Sequence, residues 1–297
     1  MENLGSGPPS GDESARTVCM GEAEFTVLRH PLVDGALHEF RSESEAGTRQ
    51  FFDAVLPGCD TMVDVGAHVG LTTLYVAGRV ARVTSLEPSP VSFAFLARNM
   101  ALNPGLREKV RLLPLGLSDR DEHVTLYAKG FGDSGSSIHE RVERAAVLRG
   151  YPLATVPLRS ASAMLHDIGL TPRTLLKIDI EGAEYRVVPA LAGLTAEAKP
   201  FLHLSFHPFN LAAGGDTYET ALLRLGKSLE IASALAHYAS MYFYDKGRWI
   251  RIGRPERMDL LRQYLLAPKR QPPLATPQYG FVEAVGFSDI ALPALDA

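Results

Sequence analysis

The stretch that most constrains the fold is Thr61 to Pro90, TMVDVGAHVGLTTLYVAGRVARVTSLEPSP. Met62, Val63 and Val65 are apolar and mostly β-branched, the pattern of a buried parallel strand. Gly66 and Gly70 follow at once, where a chain that turns tightly against a ligand uses glycine. Leu71 to Val80 suits a helix opening at that turn, Val83 to Leu86 suits the next strand, and Glu87 stands at its carboxyl end. Ligands of open parallel sheets bind beyond the carboxyl ends of the strands, which puts the glycine turn and Glu87 in one site.

Two cofactor classes use such a unit. A dinucleotide site wants G-x-G-x-x-G and an acid about 20 residues on for the ribose hydroxyls. Glu87 lies 21 positions after Gly66 and meets the second condition, but it serves the ribose of S-adenosylmethionine (SAM) equally well. The glycines discriminate. His68 and Leu71 occupy the second and third glycine positions of the dinucleotide pattern, where a pyrophosphate needs bare backbone. Asp64 beside the turn repels a pyrophosphate and suits the ammonium and sulfonium of SAM. SAM is therefore the expected cofactor, and an NAD(P)-dependent oxidoreductase is the less favoured alternative.

The 297 residues allow one large α/β domain or two small ones, and 46% hydrophobic content supports a full core. A net charge of −4 gives no basic surplus for nucleic acid or an anionic membrane. Cys19 and Cys59 alone make no disulfide or metal framework, which fits a cytoplasmic setting. No apolar run approaches the roughly 18 residues of a membrane span, and the N-terminus lacks the apolar core of a signal peptide. Residues 1–20 read as a disordered tail, 21–60 as a strand and helix segment covering the site, and 61–297 as the main domain.

Further along, Val110 to Leu115 reads as a third strand, with Ser118 and Asp119 of GLSD beyond its end. GFGDSGSSI, residues 130–138, has the composition of a loop suited to covering a site. Leu175 to Glu184, LLKIDIEGAE, makes a buried strand followed by Asp179, Glu181 and Glu184. Three carboxylates so close together at a strand end call for a nearby cation: a sulfonium, a metal ion or Lys177. In FLHLSFH, residues 201–207, His203, Ser205 and His207 share one strand face, with His207 at the ligand end and His203 deeper, as a satisfied core histidine. Met241 to Ile252 reads as a hairpin, Phe281 to Leu292 holds a last strand, and helices are expected at 140–149 and 258–266.

VDVGAHVG, LEPSP, GLSD, the GSS loop and LLKIDIEGAE, in that order, resemble the FkbM-type SAM-dependent methyltransferases over roughly Ser44 to Pro208. The resemblance implies a class I, Rossmann-like α/β fold: a seven-stranded, mostly parallel sheet with a reversed last strand and helices on both faces. It implies O-methylation, mostly of a hydroxyl of a sugar or secondary metabolite and sometimes of a carboxylate. Carried over, Asp64, Gly66, Ala67 and Gly70 line the methyl donor, with His68 and Pro88 adjoining. Glu87 takes the ribose, Ser118 or Asp119 neighbours the adenine, and Asp179 lies near the transferring methyl. This chain departs from the family at Ser205, where members often carry a glutamate two residues before the histidine.

Proton removal from a hydroxyl acceptor suits histidine, so His207 is the expected base, with Asp179 or Glu181 orienting a small-molecule substrate. Metal-assisted deprotonation through Asp179, Glu181 and His207 is the alternative, and no metal is expected to be needed.

Overall fold

The computed structural model describes residues 14–43, 45–128, 132, 135–138, 151–207, 218–245, 247–253 and 285–295. An N-terminal hairpin of β1 (Ala15–Met20) and β2 (Ala23–Leu28) precedes helices α1 (Pro31–Arg41) and α2 (Ala46–Val55). The first βαβ unit follows as β3 (Thr61–Val65), α3 (Leu71–Ala77) and β4 (Arg82–Leu86), then α4 (Pro90–Ala101) and β5 (Val110–Leu113). Next come β6 (Gly116–Ser118), β7 (Glu122–Ala128), β8 (Tyr151–Ser160) and α5 (Ala161–Ile168). The second half holds β9 (Thr174–Ile178), α6 (Glu184–Ala190), α7 (Ala192–Ala198), β10 (Phe201–Leu204) and α8 (Tyr218–Ala234). It ends with β11 (Ser240–Asp245), β12 (Arg248–Gly253) and β13 (Val285–Ser288).

The main sheet runs β5-β4-β3-β9-β10-β13-β11-β12. Its first five strands are parallel, and β13 enters antiparallel between β10 and β11. The mostly parallel sheet with its reversed last strand is as expected, but the strand number is eight rather than seven. The eighth is β12, the outer arm of the β11–β12 hairpin, which adds to the edge because its backbone pairs residue for residue with β11. Alternate side chains of the central strands enter two cores. Met62 and Leu175 pack with α1, α2, α3 and α4, whereas Val63, Val65, Leu176 and Ile178 pack with α5, α6 and α8.

The last residues of the expected tail are part of the fold. Residues 15–20 form β1 and pair with β2 from Ala15 opposite Leu28 to Met20 opposite Ala23, and Val18 is buried. The hairpin is locked to α4 and the turn after it: Leu28 N donates to Asn99 Oδ1 of the helix at 2.9 Å, and Asn103 just beyond it exchanges hydrogen bonds with the Thr26 backbone at 2.7 and 2.8 Å. Helix α1, unforeseen in the sequence reading, has Pro31 at its first position and the His30 ring accepting from Leu32 N. The helices expected at 140–149 and 258–266 lie outside the described residues.

Candidate active site

The carboxyl ends of β3, β4 and β9 open into a cavity of about 380 Å³, within the usual size for small-molecule sites. Its floor is the glycine turn. Gly66 has φ +83°, and a Cβ there would stand 1.9 Å from the Asp179 carbonyl oxygen, so only glycine lets the ends of β3 and β9 meet. Gly66 N and Ala67 N both donate to Leu86 O at 3.0 Å. His68 holds the left-handed conformation at φ +49°. Its N–H donates to Glu87 Oε2 at 2.8 Å, and Ser89 N donates to Glu87 Oε1 at 2.7 Å. Two backbone donors thus aim a buried carboxyl while leaving lone pairs for ligand hydroxyls. Burial pushes the Glu87 carboxyl up to about 7, against the lowering pull of those two donors.

Beneath this floor lies a polar row. Ser85, Asp64, Lys177 and His203 stand side by side on one face of β4, β3, β9 and β10, all buried. Asp64 Oδ2 accepts from Thr72 at 2.6 Å and Thr73 at 2.8 Å, and Lys177 Nζ lies 3.2 Å from its Oδ1. Lys177 also donates to Gly66 O at 2.7 Å and reaches within 3.8 Å of Asp179 Oδ2. Burial alone would lower the Lys177 pKa, but Asp64 and Asp179 more than offset it and hold the ammonium above its ordinary range. His203 departs from the expectation of a satisfied core histidine. Both ring nitrogens lack a hydrogen-bond partner among the described residues, and burial between Phe51 and Phe52 pushes its pKa down to about 3.

The opposite wall is built by the segment after β9. Glu184, fully buried, accepts from Gly182 N at 2.7 Å and Ile180 N at 3.1 Å, which folds the loop back over itself. The same carboxylate meets His207 Nδ1 at 2.6 Å. Nε2 then points between Asp179 Oδ1 at 3.6 Å and Glu181 Oε1 at 3.5 Å. Burial works to lower the His207 pKa, and the charge and hydrogen bond of Glu184, with Asp179 and Glu181, raise it to about 9. Asp179 is held low: burial raises it, and Lys177 and His207 outweigh burial. Glu181 sits at φ +54°, and its carbonyl accepts from Ser137 Oγ at 2.7 Å. The GSS segment also approaches the floor, since His68 Nε2 lies 3.2 Å from Gly132 O.

Gly66, Ala67, His68, Glu87, Pro88, Asp179, Glu181 and His207 all line the cavity. Asp64 and Gly70 do not. Asp64 is covered by Thr72, Thr73 and Lys177, so it braces the floor from below, and Gly70 caps α3 at φ +91° against Leu96. Ser118 and Asp119 are also off the lining. Ser118 Oγ donates to Glu122 Oε1 at 2.7 Å, and Arg186 holds Asp119 at 2.6 Å and Glu122 at 2.7 Å. Near them the cavity wall is instead apolar, with Leu117, Leu126 and Leu158. Ala36, Glu39, Phe40 and Glu45, from α1 and the turn before α2 within residues 21–60, also line the cavity, although none of the four stands out individually in the sequence.

Asp179, Glu184 and His207 each offer a ligand atom within 4.8 Å of the others. Glu184 is already engaged by two backbone N–H groups and by His207, so a cation there has to break the 2.6 Å contact. His207 Nδ1 is thus taken by Glu184, whereas Nε2 faces Asp179 at 3.6 Å and Glu181 at 3.5 Å.

A sheet with this order and a reversed strand, carrying a glycine turn and a ribose-type acid at adjacent strand ends, is that of a class I methyltransferase. Residues 64–230, more than half of the chain, match the methyltransferase FkbM domain, and the protein belongs to that family. The chain is 32% identical over 160 residues to methyltransferase sdnD of Sordaria araneosa and 28% identical over 151 residues to methyltransferase 1 of Beauveria bassiana. Each match covers 46% of this chain and 61% of the relative, so the chain spans about three-fifths of the length of these relatives. The crystal structure of methyltransferase FkbM from Methylobacillus flagellatus KT aligns with 77% of this chain and 44% of its own, at 17% identity and a TM-score of 0.43. Among the described residues, no helix is long and apolar enough to cross a membrane.

Proposed function

We propose that this protein methylates a hydroxyl oxygen of a small molecule of the sugar or natural-product type. The carrying observation is His207, whose Nδ1 is held by Glu184 while Nε2 faces the cavity between Asp179 and Glu181. A hydroxyl has a pKa far above neutrality and needs a base, whereas a carboxylate acceptor is already ionised. The natural-product class is further supported by a relative named AMB antimetabolite synthetase AmbE from Pseudomonas aeruginosa, 29% identical over 171 residues, of which the match covers 8%.

SAM, when bound, supplies an electrophilic methyl group. Glu87 holds its ribose, aimed by His68 N and Ser89 N. Gly66, Ala67, His68 and Pro88 line the turn where it would lie, and Leu117, Leu126 and Leu158 would give its base an apolar bed. Asp179 sets the approach of the acceptor with Glu181, and Nε2 of the neutral His207, the form that predominates above pH about 9, takes the hydroxyl proton. The imidazolium so formed is stabilised by Glu184, Asp179 and Glu181. Alignment of this kind supplies several kcal/mol of a barrier, on the order of 7 or more in the best intramolecular cases.

The test is formation of S-adenosylhomocysteine with hydroxyl-bearing small molecules, followed by location of the new methyl by NMR. O-methyl products support the reading. Methyl esters alone, or products methylated on carbon or nitrogen, contradict it.

A further inference from the structure

We infer that Glu45 selects the acceptor, and that the acceptor presents it with a protonated amine near the hydroxyl to be methylated. The inference rests on the hydroxyl reading above. Glu45 lies between α1 and α2, outside residues 64–230 that match the family, yet it lines the same cavity as Glu87 and His207.

The charge on the lining is unbalanced. Glu39, Glu45, Glu87, Asp179 and Glu181 supply five carboxyls, and Lys177 is the sole lysine or arginine among the described lining residues. Lys177 is consumed by Asp64, Asp179 and the Gly66 carbonyl, and His207 by Glu184 and its two flanking acids. Among the described residues, no cationic side chain of the lining therefore stands ready for an anionic acceptor. SAM carries a sulfonium, an ammonium and a carboxylate, so its single net positive charge leaves part of the excess standing.

Glu45 is where that excess is least compensated. Glu87 is pinned by backbone donors, Asp179 and Glu181 face Lys177 or His207, and Glu39 is exposed to water. Glu45 is half-buried, and among the described residues no lysine, arginine or histidine lies within ion-pair distance of it. Burial and the Asp179 charge push its carboxyl up to about 7, against the pull of Thr48 and Lys177. A ligand ammonium would supply the missing counter-ion, and a ligand carboxylate would be repelled.

The test uses hydroxyl compounds in matched sets of three: an amino sugar, its neutral parent and the corresponding uronic acid, together with short amino alcohols, diols and hydroxy acids. S-adenosylhomocysteine formation is followed with a chelator present, for the wild type, Glu45→Gln and Glu45→Lys, each checked for an intact melting transition and for SAM affinity by calorimetry. The wild type should favour the amine members by about tenfold or more in kcat/KM, the size of one modest ion pair. Glu45→Gln should erase that preference through KM, and Glu45→Lys should move it toward the acids, with SAM affinity retained. A wild-type preference for neutral or acidic members overturns the inference, as does an amine preference that survives Glu45→Gln. Activity that appears only with added divalent metal also overturns it, since the acids would then be serving a cation of another kind. Methylation without regard to charge defeats this inference alone. SAM binding with no hydroxyl compound methylated defeats the hydroxyl reading and this inference with it.

Discussion

His207 and Glu184 are joined through Nδ1 and Oε1 at 2.6 Å, and the carboxylate that makes this contact is fully buried. Glu184 also holds the backbone N–H groups of Ile180 and Gly182. One side chain therefore shapes the loop bearing Glu181, fixes which ring nitrogen faces the cavity, and raises the basicity of that nitrogen.

The raised His207 pKa has a sign that can be checked. Its folded value of about 9 lies above the ordinary 6.5, so its contribution to stability is full below about 6.5 and is lost as pH rises through about 9. Melting midpoints of the wild type should fall between pH 7 and pH 10, and Glu184→Gln should flatten that fall. Turnover at saturating SAM should rise with pH up to about 9 in the wild type and level off earlier in Glu184→Gln. Identical pH profiles for the two proteins would separate Glu184 from the base.

Lys177→Met should be strongly destabilising. It leaves Asp64 buried with two threonine donors and no cation. Breaking a buried pair from one side typically costs about 3–5 kcal/mol. Chemical denaturation should show a loss of that order, and a change below about 1 kcal/mol would mean that Asp64 is protonated or otherwise satisfied.

A chain beginning at Met20 loses β1 and with it the buried Val18. Losing such a buried side chain costs about 1.5–3 kcal/mol, or on the order of 2–5 °C in a chain of this size. Scanning calorimetry on the truncated protein reads this directly. An unchanged midpoint would show that the hairpin adds nothing to the fold.

Activity should survive exhaustive chelation. Glu184 is committed to the loop and to His207, and Ser205 stands where the family often has an acid. Loss of turnover restored by magnesium or manganese would overturn this expectation.

The parallel core was legible because local pattern and tertiary role agree there. Val63, Val65, Leu176 and Ile178 read as buried strands and are buried strands. The convergence of Gly66, Glu87, Asp179 and His207 was legible for a topological reason, since strand ends of a parallel sheet share one edge. What escaped depends on contacts between residues far apart in the chain. Asp64 looked like a ligand group until Lys177, on the neighbouring strand, covered it. Ser118 and Asp119 looked free until Arg186 of α6 took Asp119 and Glu122. Helix α1 did carry a signal, with Leu32, Val33, Ala36, Leu37 and Phe40 at helical spacing, but its cap is a histidine, which is not among the usual capping residues.

The measurement that bears most directly on the whole account is calorimetric titration of SAM into the wild type and Glu87→Ala. A charged hydrogen bond to ligand hydroxyls contributes about 1.5–3 kcal/mol. The account predicts a single SAM site in the wild type and affinity at least about tenfold weaker in Glu87→Ala, with the variant still folded. Equal affinity in the two proteins would contradict it, because the methyl donor would then lie away from the cavity that His207, Asp179 and Glu181 line.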